Sequence, residues 1–255
     1  MKTEVKIPDY IKKEYLTTAQ LASNLGWSVS FIDGLVRGEK LPGLEVDGVW
    51  YFRRDEVIDW LEQKIQTLDG SRVMQLEKRV EQSLVSDGTF TRPVAFDRLS
   101  SRISEEGISL DLHITSKTEL LRALVCLAER TGLLYDRDCL QASLMDREAL
   151  CSTAMPGGVA LCHPRRPIPT AISTQFVCFL RTLKPVEFGA QDGEGTSLFF
   201  LLCAPDDCSH LYGLARVARI IHNGGLEDLK AAKTASEVKL AITRMENLIN
   251  AQQSD

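Results

Sequence analysis

Gly157-Gly158-Val159-Ala160-Leu161-Cys162-His163 is the stretch whose reading decides the fold. It is a Gly-rich turn, then a short apolar strand, then a histidine at the strand's end. Downstream, Phe176-Val177-Cys178-Phe179-Leu180 and Leu198-Phe199-Phe200-Leu201-Leu202 are apolar on every position, the signature of strands buried on both faces. Helices flank these runs and announce themselves by capping boxes. Ser116-Lys117-Thr118-Glu119 precedes the stripe Leu120, Leu121, Leu124, Val125 and Leu127. Thr234-Ala235-Ser236-Glu237 does the same for Val238, Leu240, Ala241, Met245, Leu248 and Ile249. Helices alternating with fully apolar strands predict an α/β sandwich with a covered sheet.

A second histidine, His210, follows Ala204-Pro205-Asp206-Asp207-Cys208-Ser209 and opens a helix containing Leu211, Leu214, Val217, Ala218 and Ile221. A side chain in the first turn of a helix lies near unsatisfied backbone donors and the positive end of the dipole. That position favours a neutral imidazole and an incoming anion such as phosphate.

Toward the N-terminus the pattern changes. Thr17-Thr18-Ala19-Gln20 is a capping box ahead of Leu21, Ala22 and Leu25, and Gly26 ends that helix. Ser28 caps a second helix with Val29, Ile32, Leu35 and Val36, terminated by Gly38. Leu44 to Phe52 alternates around Asp47-Gly48, a hairpin signal, and Asp55 caps a third helix bearing Val57, Ile58, Leu61 and Ile65. Between this module (1–68) and the larger domain (103–250) lies a connector, 69–102. In it Val73, Leu76, Val80 and Leu84 recur at spacings of three and four. That is either an a/d seam of about two heptads that would help a homodimer, or a helix lying on its own domain.

Composition bounds the rest. The 255 residues are 44% hydrophobic and 25% charged, as in ordinary globular protein, so a packed core is available. No apolar run approaches the roughly 18 residues of a membrane span, and the charged N-terminus is no signal peptide, so a cytoplasmic location is expected. Seven cysteines without a Cys-x-x-Cys pair suggest reduced, mostly buried thiols rather than a metal or disulfide framework. Cys162, beside His163, is either a packing residue or a redox-sensitive thiol. A Cys-His enzyme has little support, since adjacent residues need not face one another. Neither metal nor cofactor is expected. The net charge of -5 gives no electrostatic footprint for nucleic acid.

Residues 14–65 resemble the excisionase or MerR-type DNA-binding module, a winged helix-turn-helix. The resemblance rests on Leu16-Thr17-Thr18-Ala19-Gln20-Leu21-Ala22 and Tyr51-Phe52-Arg53-Arg54-Asp55-Glu56-Val57. It implies that Ser28, Ser30, Asp33, Arg37 and Lys40 face the DNA groove and that Arg53 and Arg54 meet phosphates. The alternative is a protein-interaction module with solvated polar faces.

The stretch from Ile103 to about Asn250 resembles the EIIA domains of the fructose, mannitol and nitrogen-regulatory class of the sugar phosphotransferase system. Matching pieces occur in order: Thr115-Ser116-Lys117-Thr118-Glu119, Arg147-Glu148 with Ser152-Thr153, Gly158 to His163, Ala190-Gln191-Asp192-Gly193, Leu202-Cys203-Ala204-Pro205, and His210-Leu211. The resemblance implies a sandwich of a mixed sheet between helices. It also implies that His163 accepts phosphate from a histidine phosphocarrier protein, that Arg147 holds the phosphoryl oxygens, and that His210 bonds the phosphoryl group or the acceptor ring. Ser152 and Thr153 become second-line donors. The chain departs from the family by carrying Cys162 for its proline and Pro164 for its glycine, and Pro164 removes a backbone N–H. Arg165 and Arg166 then either steer an acidic partner or are plain surface arginines. Together the pieces imply a two-part regulator. The alternatives are a phosphocarrier whose N-terminal module binds protein, or a phosphate-inactive EIIA-like scaffold for dimerisation or anion sensing.

Overall fold

A computed structural model of the chain describes residues 15–25, 27–67, 73, 74, 77 and 98–251. The N-terminal unit runs β1 (Leu16–Thr17), α1 (Thr18–Leu25), α2 (Val29–Glu39), β2 (Leu44–Val46), β3 (Val49–Phe52) and α3 (Arg54–Thr67). Its three strands form an antiparallel sheet in the order β1-β3-β2. The box at α1 is reciprocal: Gln20 N–H donates to Thr17 Oγ1, and Thr17 N–H donates to Gln20 Oε1. Ser28 Oγ accepts from Phe31 N–H at the start of α2. The hairpin turn places Asp47 and Gly48 at φ 52° and 78°, the left-handed pair that a tight two-residue turn requires.

Two boundaries differ from the sequence expectation. Helix α2 continues through Gly38 to Glu39 and stops at Lys40, which takes φ 58° and sends its N–H back to Leu35 O. Helix α3 begins at Arg54, so Asp55 stands in the first turn rather than at the cap, where its charge still favours the positive helix end. Gly26 and the Leu25 side chain lie outside the described residues.

The unit's core is Leu21, Ile32, Leu35, Phe52, Val57 and Leu61, all buried. Of the connector's stripe, Val73 is fully buried within the chain's own core. Leu76, Val80 and Leu84 lie outside the described residues.

The larger part follows two 3₁₀ turns with β4 (Ile108–Leu112), α4 (Lys117–Arg130), α5 (Arg137–Leu150), β5 (Ala154–Met155) and β6 (Val159–Cys162). Then come β7 (Phe176–Val186), β8 (Thr196–Cys203), α6 (Asp207–Ile220), α7 (Leu226–Ala231) and α8 (Ala235–Ala251). The sheet order is β4-β7-β8-β6-β5. It is mixed: β4/β7 and β6/β8 are parallel, while β7/β8 and β5/β6 are antiparallel. Alternate residues feed opposite layers, as a period of two demands. Val159, Leu161, Phe179, Phe200 and Leu202 face the layer of α6 and α8. Ala160, Cys162, Cys178, Phe199 and Leu201 face that of α4 and α5. Both faces are covered, which is why these strands read as unbroken apolar runs.

The two domain capping boxes also form. Ser116 Oγ accepts from Glu119 N–H and Thr234 Oγ1 from Glu237 N–H. Among the described residues no helix is long and apolar enough to cross a membrane.

Candidate functional site

Strands β6 and β8 lie side by side and parallel, with Cys162 opposite Leu201. Their carboxyl ends therefore release two histidines at the same edge of the sheet. His163 is the first residue beyond β6. His210 sits in the first turn of α6, which starts after the short loop from β8 and is capped by Asp206 Oδ1 accepting from Ser209 N–H. The two rings stand 5.1 Å apart between centroids, nearly perpendicular. Arg147, in the last turn of α5, reaches the same place from the other layer.

The first bond that fixes the chemistry is internal. His163 Nδ1 lies 2.8 Å from Leu161 O, and a carbonyl can only accept, so Nδ1 carries a proton. Nε2 is thereby turned into the site, where Arg147 Nε–H donates to it at 2.8 Å. Burial lowers the pKa of His163 from its ordinary value, more than the nearby Glu62 carboxylate raises it. The ring is held neutral, with its lone pair on Nε2.

The fourth member comes from the N-terminal unit. Glu62, on α3, places Oε2 3.0 Å from Arg147 Nε and 3.1 Å from His163 Nε2, and Oε1 accepts from His210 Nε2 at 2.9 Å. Burial alone would push this carboxyl up. The bond from His210 Nε2–H and the favourable charge around the group outweigh it and hold the carboxyl well below the usual carboxylate range, while Arg147 Nε–H is shared between Oε2 and His163 Nε2. All four side chains are sealed: Glu62, His163 and His210 are 1% exposed and Arg147 2%. Glu62, His163 and His210 bring their ligand atoms within 4.8 Å of one another, a spacing that a metal ion could use. The Arg147 guanidinium already stands against two of the three, so the cation's place is taken by a fixed side chain.

Residues 101–245 match the phosphoenolpyruvate-dependent sugar phosphotransferase system EIIA 2 family. The chain belongs to this family. The nitrogen regulatory protein of Bradyrhizobium diazoefficiens is 31% identical over 144 residues, covering 55% of this chain and 91% of that protein. The fructose-specific EIIA component of Haloferax volcanii is 28% identical, covering 52% and 87%. Among solved structures, nitrogen regulatory protein IIA-Ntr from Neisseria meningitidis superposes with a TM-score of 0.51 at 29% identity, over 56% of this chain and 98% of that one. The first hundred residues lie outside the family match.

Within this EIIA domain the remaining expected residues separate. Ser152 Oγ donates to Phe188 O and accepts from Ala154 N–H. Thr153 Oγ1 donates to Glu148, which is also paired with Lys117. Neither hydroxyl bonds His163, Arg147 or His210. They brace the loop between α5 and β6. Cys162 points into the opposite layer from His163. Burial pushes its thiol up to about 12, so it is a packing residue. Of the other cysteines, Cys178 and Cys203 are buried and Cys126 is exposed, so fewer are buried than composition suggested. Arg166 donates to Asp59 at 2.7 Å and to Asp55 O at 3.1 Å, both on α3: its acidic partner is in the same chain. His113 and His222 are exposed.

On the N-terminal unit, Ser30 and Arg37 of α2 and its caps Ser28 and Lys40 are exposed, with Ser28 occupied as the cap and bonded to Ser30. Arg53 pairs with Glu56, and Arg54 pairs with Asp207 at the start of α6.

Glu62 escaped the sequence reading. Its signal was present: Ile58, Leu61, Glu62 and Ile65 stand at i, i+3, i+4 and i+7, so the carboxylate sits on the buried stripe of α3.

Proposed function

We propose that this protein is a two-part regulator in which His163 of the EIIA domain accepts a phosphoryl group from a histidine phosphocarrier protein. The observation that carries the reading is the convergence of His163 Nε2, Arg147 Nε and His210 Nε2 on one anion-sized place, which a carboxylate occupies. In the transfer, the N–P bond of the donor phosphohistidine breaks as a bond from His163 Nε2 to phosphorus forms. The lone pair is ready on Nε2 because the proton is held on Nδ1 by Leu161, so no base is needed. Arg147 neutralises the equatorial oxygens, and His210 Nε2–H donates to one of them. Positioning and charge stabilisation supply the catalysis for a loose transition state of this kind.

The N-terminal module, 1–68, joined through the connector 69–102, is proposed as a winged helix-turn-helix that reads DNA with Ser28, Ser30, Arg37 and Lys40 and grips backbone with Arg53 and Arg54. The exposure of Ser28, Ser30, Arg37 and Lys40 supports this. A second reading, that the module binds protein, has its own support, because α3 already docks on the EIIA domain through Arg54 and Glu62. The nitrogen-regulatory naming of relatives favours a regulatory role over a transport step.

Incubation with phosphoenolpyruvate, enzyme I and the phosphocarrier should add one acid-labile phosphoryl group by intact mass, and none in His163→Ala. No label, under conditions that label another EIIA protein, would overturn the reading. Gel-shift titration of the full chain at rising salt tests the module, because phosphate-driven binding must weaken steeply with salt.

A further inference from the structure

We infer that helix α3 is an intramolecular plug of the phosphotransfer site, in which the Glu62 carboxylate holds the place of the phosphoryl oxygens. The inference rests on the proposed role of His163 and adds its regulation: module docking and phosphate on His163 exclude one another.

Glu62 occupies the donors that a phosphoryl anion would use. Oε2 accepts from Arg147 Nε at 3.0 Å and Oε1 from His210 Nε2 at 2.9 Å, and Oε2 stands 3.1 Å from His163 Nε2, where the phosphorus would bond. An incoming phosphoryl group on Nε2 would need the same donors and the same volume, and would bring more negative charge than the carboxylate it meets. The plug also bars access. A donor histidine must come into near contact with Nε2 for in-line transfer, yet His163 is 1% exposed beneath α3.

The docking has its own rim. Arg166, two residues past the plugged loop's Pro164, pairs with Asp59 one turn before Glu62, and Arg54 pairs with Asp207 at the head of α6. These contacts tie α3 to both loops that carry the histidines. Between these two pairs Ile58, 1% exposed, faces Pro167 and Pro205 of the same loops. Release of α3 would therefore free Arg54 together with the site, linking the state of His163 to what the module can bind.

The test uses the full chain and two readouts. Diethyl pyrocarbonate, with peptide mapping, reports access to His163 without any phosphate donor, and exposed His113 and His222 serve as internal standards. His163 should resist in the native chain and react about tenfold faster or more in Glu62→Ala and Glu62→Gln, because the open state becomes populated. Phosphoryl labelling from the carrier system should accelerate similarly. Asp59→Ala, which leaves every site residue in place, should accelerate both about two- to fivefold, the effect of one partly exposed ion pair. Equal reactivity of His163 in the native chain and all three variants would overturn the plug. Increased reactivity with equal labelling rates would overturn its control of transfer. Loss of labelling throughout, with reagent access still raised in the variants, would sink the phosphoacceptor reading and leave the docking of Glu62 standing.

Discussion

Helix α6 is gripped at both ends by a carboxylate from the N-terminal part of the chain, and the two grips differ in kind. At its head, Glu62 binds His210, His163 and Arg147. Toward its tail, Glu77 binds Arg216 at 2.8 Å and also Arg219. Both glutamates are buried. The tail cluster is closed on itself. Arg216 also reaches Glu246 and Asn250, while Glu246 accepts the N–H groups of Leu99 and Ser100, so each charge has fixed partners from the chain. At the head, the EIIA groups are those that suit a transferable anion, and one of them is the proposed nucleophile. Burying a carboxylate against arginine is the same chemistry twice, yet on the inference above only one of the two carboxylates has a competitor.

The contrast can be broken in several ways. The largest effect is expected from His163→Ala, which should abolish labelling while leaving the tail cluster and fold intact, read by intact mass and circular dichroism. Next, Glu77→Ala leaves two buried guanidinium groups without their shared partner and should lower stability by about 3–5 kcal/mol in urea titration. Glu62→Ala should cost clearly less, because the head can open to water. Equal losses would erase the distinction drawn here. Arg147→Ala should slow phosphoryl transfer by about 10²–10³-fold, the usual cost of removing one preorganised donor to developing charge. A rate unchanged in rapid-quench measurements would remove Arg147 from the reaction.

The smallest effect concerns pH. His163, facing Glu62, Arg147 and His210, has a pKa below its ordinary 6.5 in the folded chain. The unfolded chain then binds more protons in acid, so stability is full above about 6.5 and falls as pH drops. The slope is at most about 1.4 kcal/mol per pH unit for this one group. Glu62, held below its ordinary 4.5, adds a further loss under that value. His163→Gln should flatten the first decline in urea midpoints collected from pH 7 to 5.

What the sequence disclosed follows from which rules are local. Capping boxes at Thr17, Ser116 and Thr234 and the Asp47-Gly48 turn are settled within four residues, and all form as read. The apolar strands were legible because both faces of the sheet are covered, and His163, His210 and Arg147 because matched pieces occur in order. The end of α2 was misplaced because Lys40, not a glycine, takes the left-handed position. The bonds of Ser152 and Thr153 were not legible, because proximity in sequence to Arg147 says nothing of where hydroxyls point once the loop turns back to Phe188 and Glu148. Glu62 and Glu77 were missed for a shared reason. A glutamate on a helix is read as solvated, whereas each stands on a buried stripe, Glu62 beside Ile58 and Ile65 and Glu77 four residues after Val73. Their partners lie 85 or more residues away in sequence, beyond any local rule.

The most direct measurement of the central claim is hydrogen–deuterium exchange across residues 54–67 in the unphosphorylated chain and in the chain labelled to completion on His163. If the phosphoryl group and Glu62 compete for one place, labelling must release α3, and its amides should exchange faster while α8 keeps its protection. Unchanged protection of α3 with His163 fully phosphorylated would contradict the account.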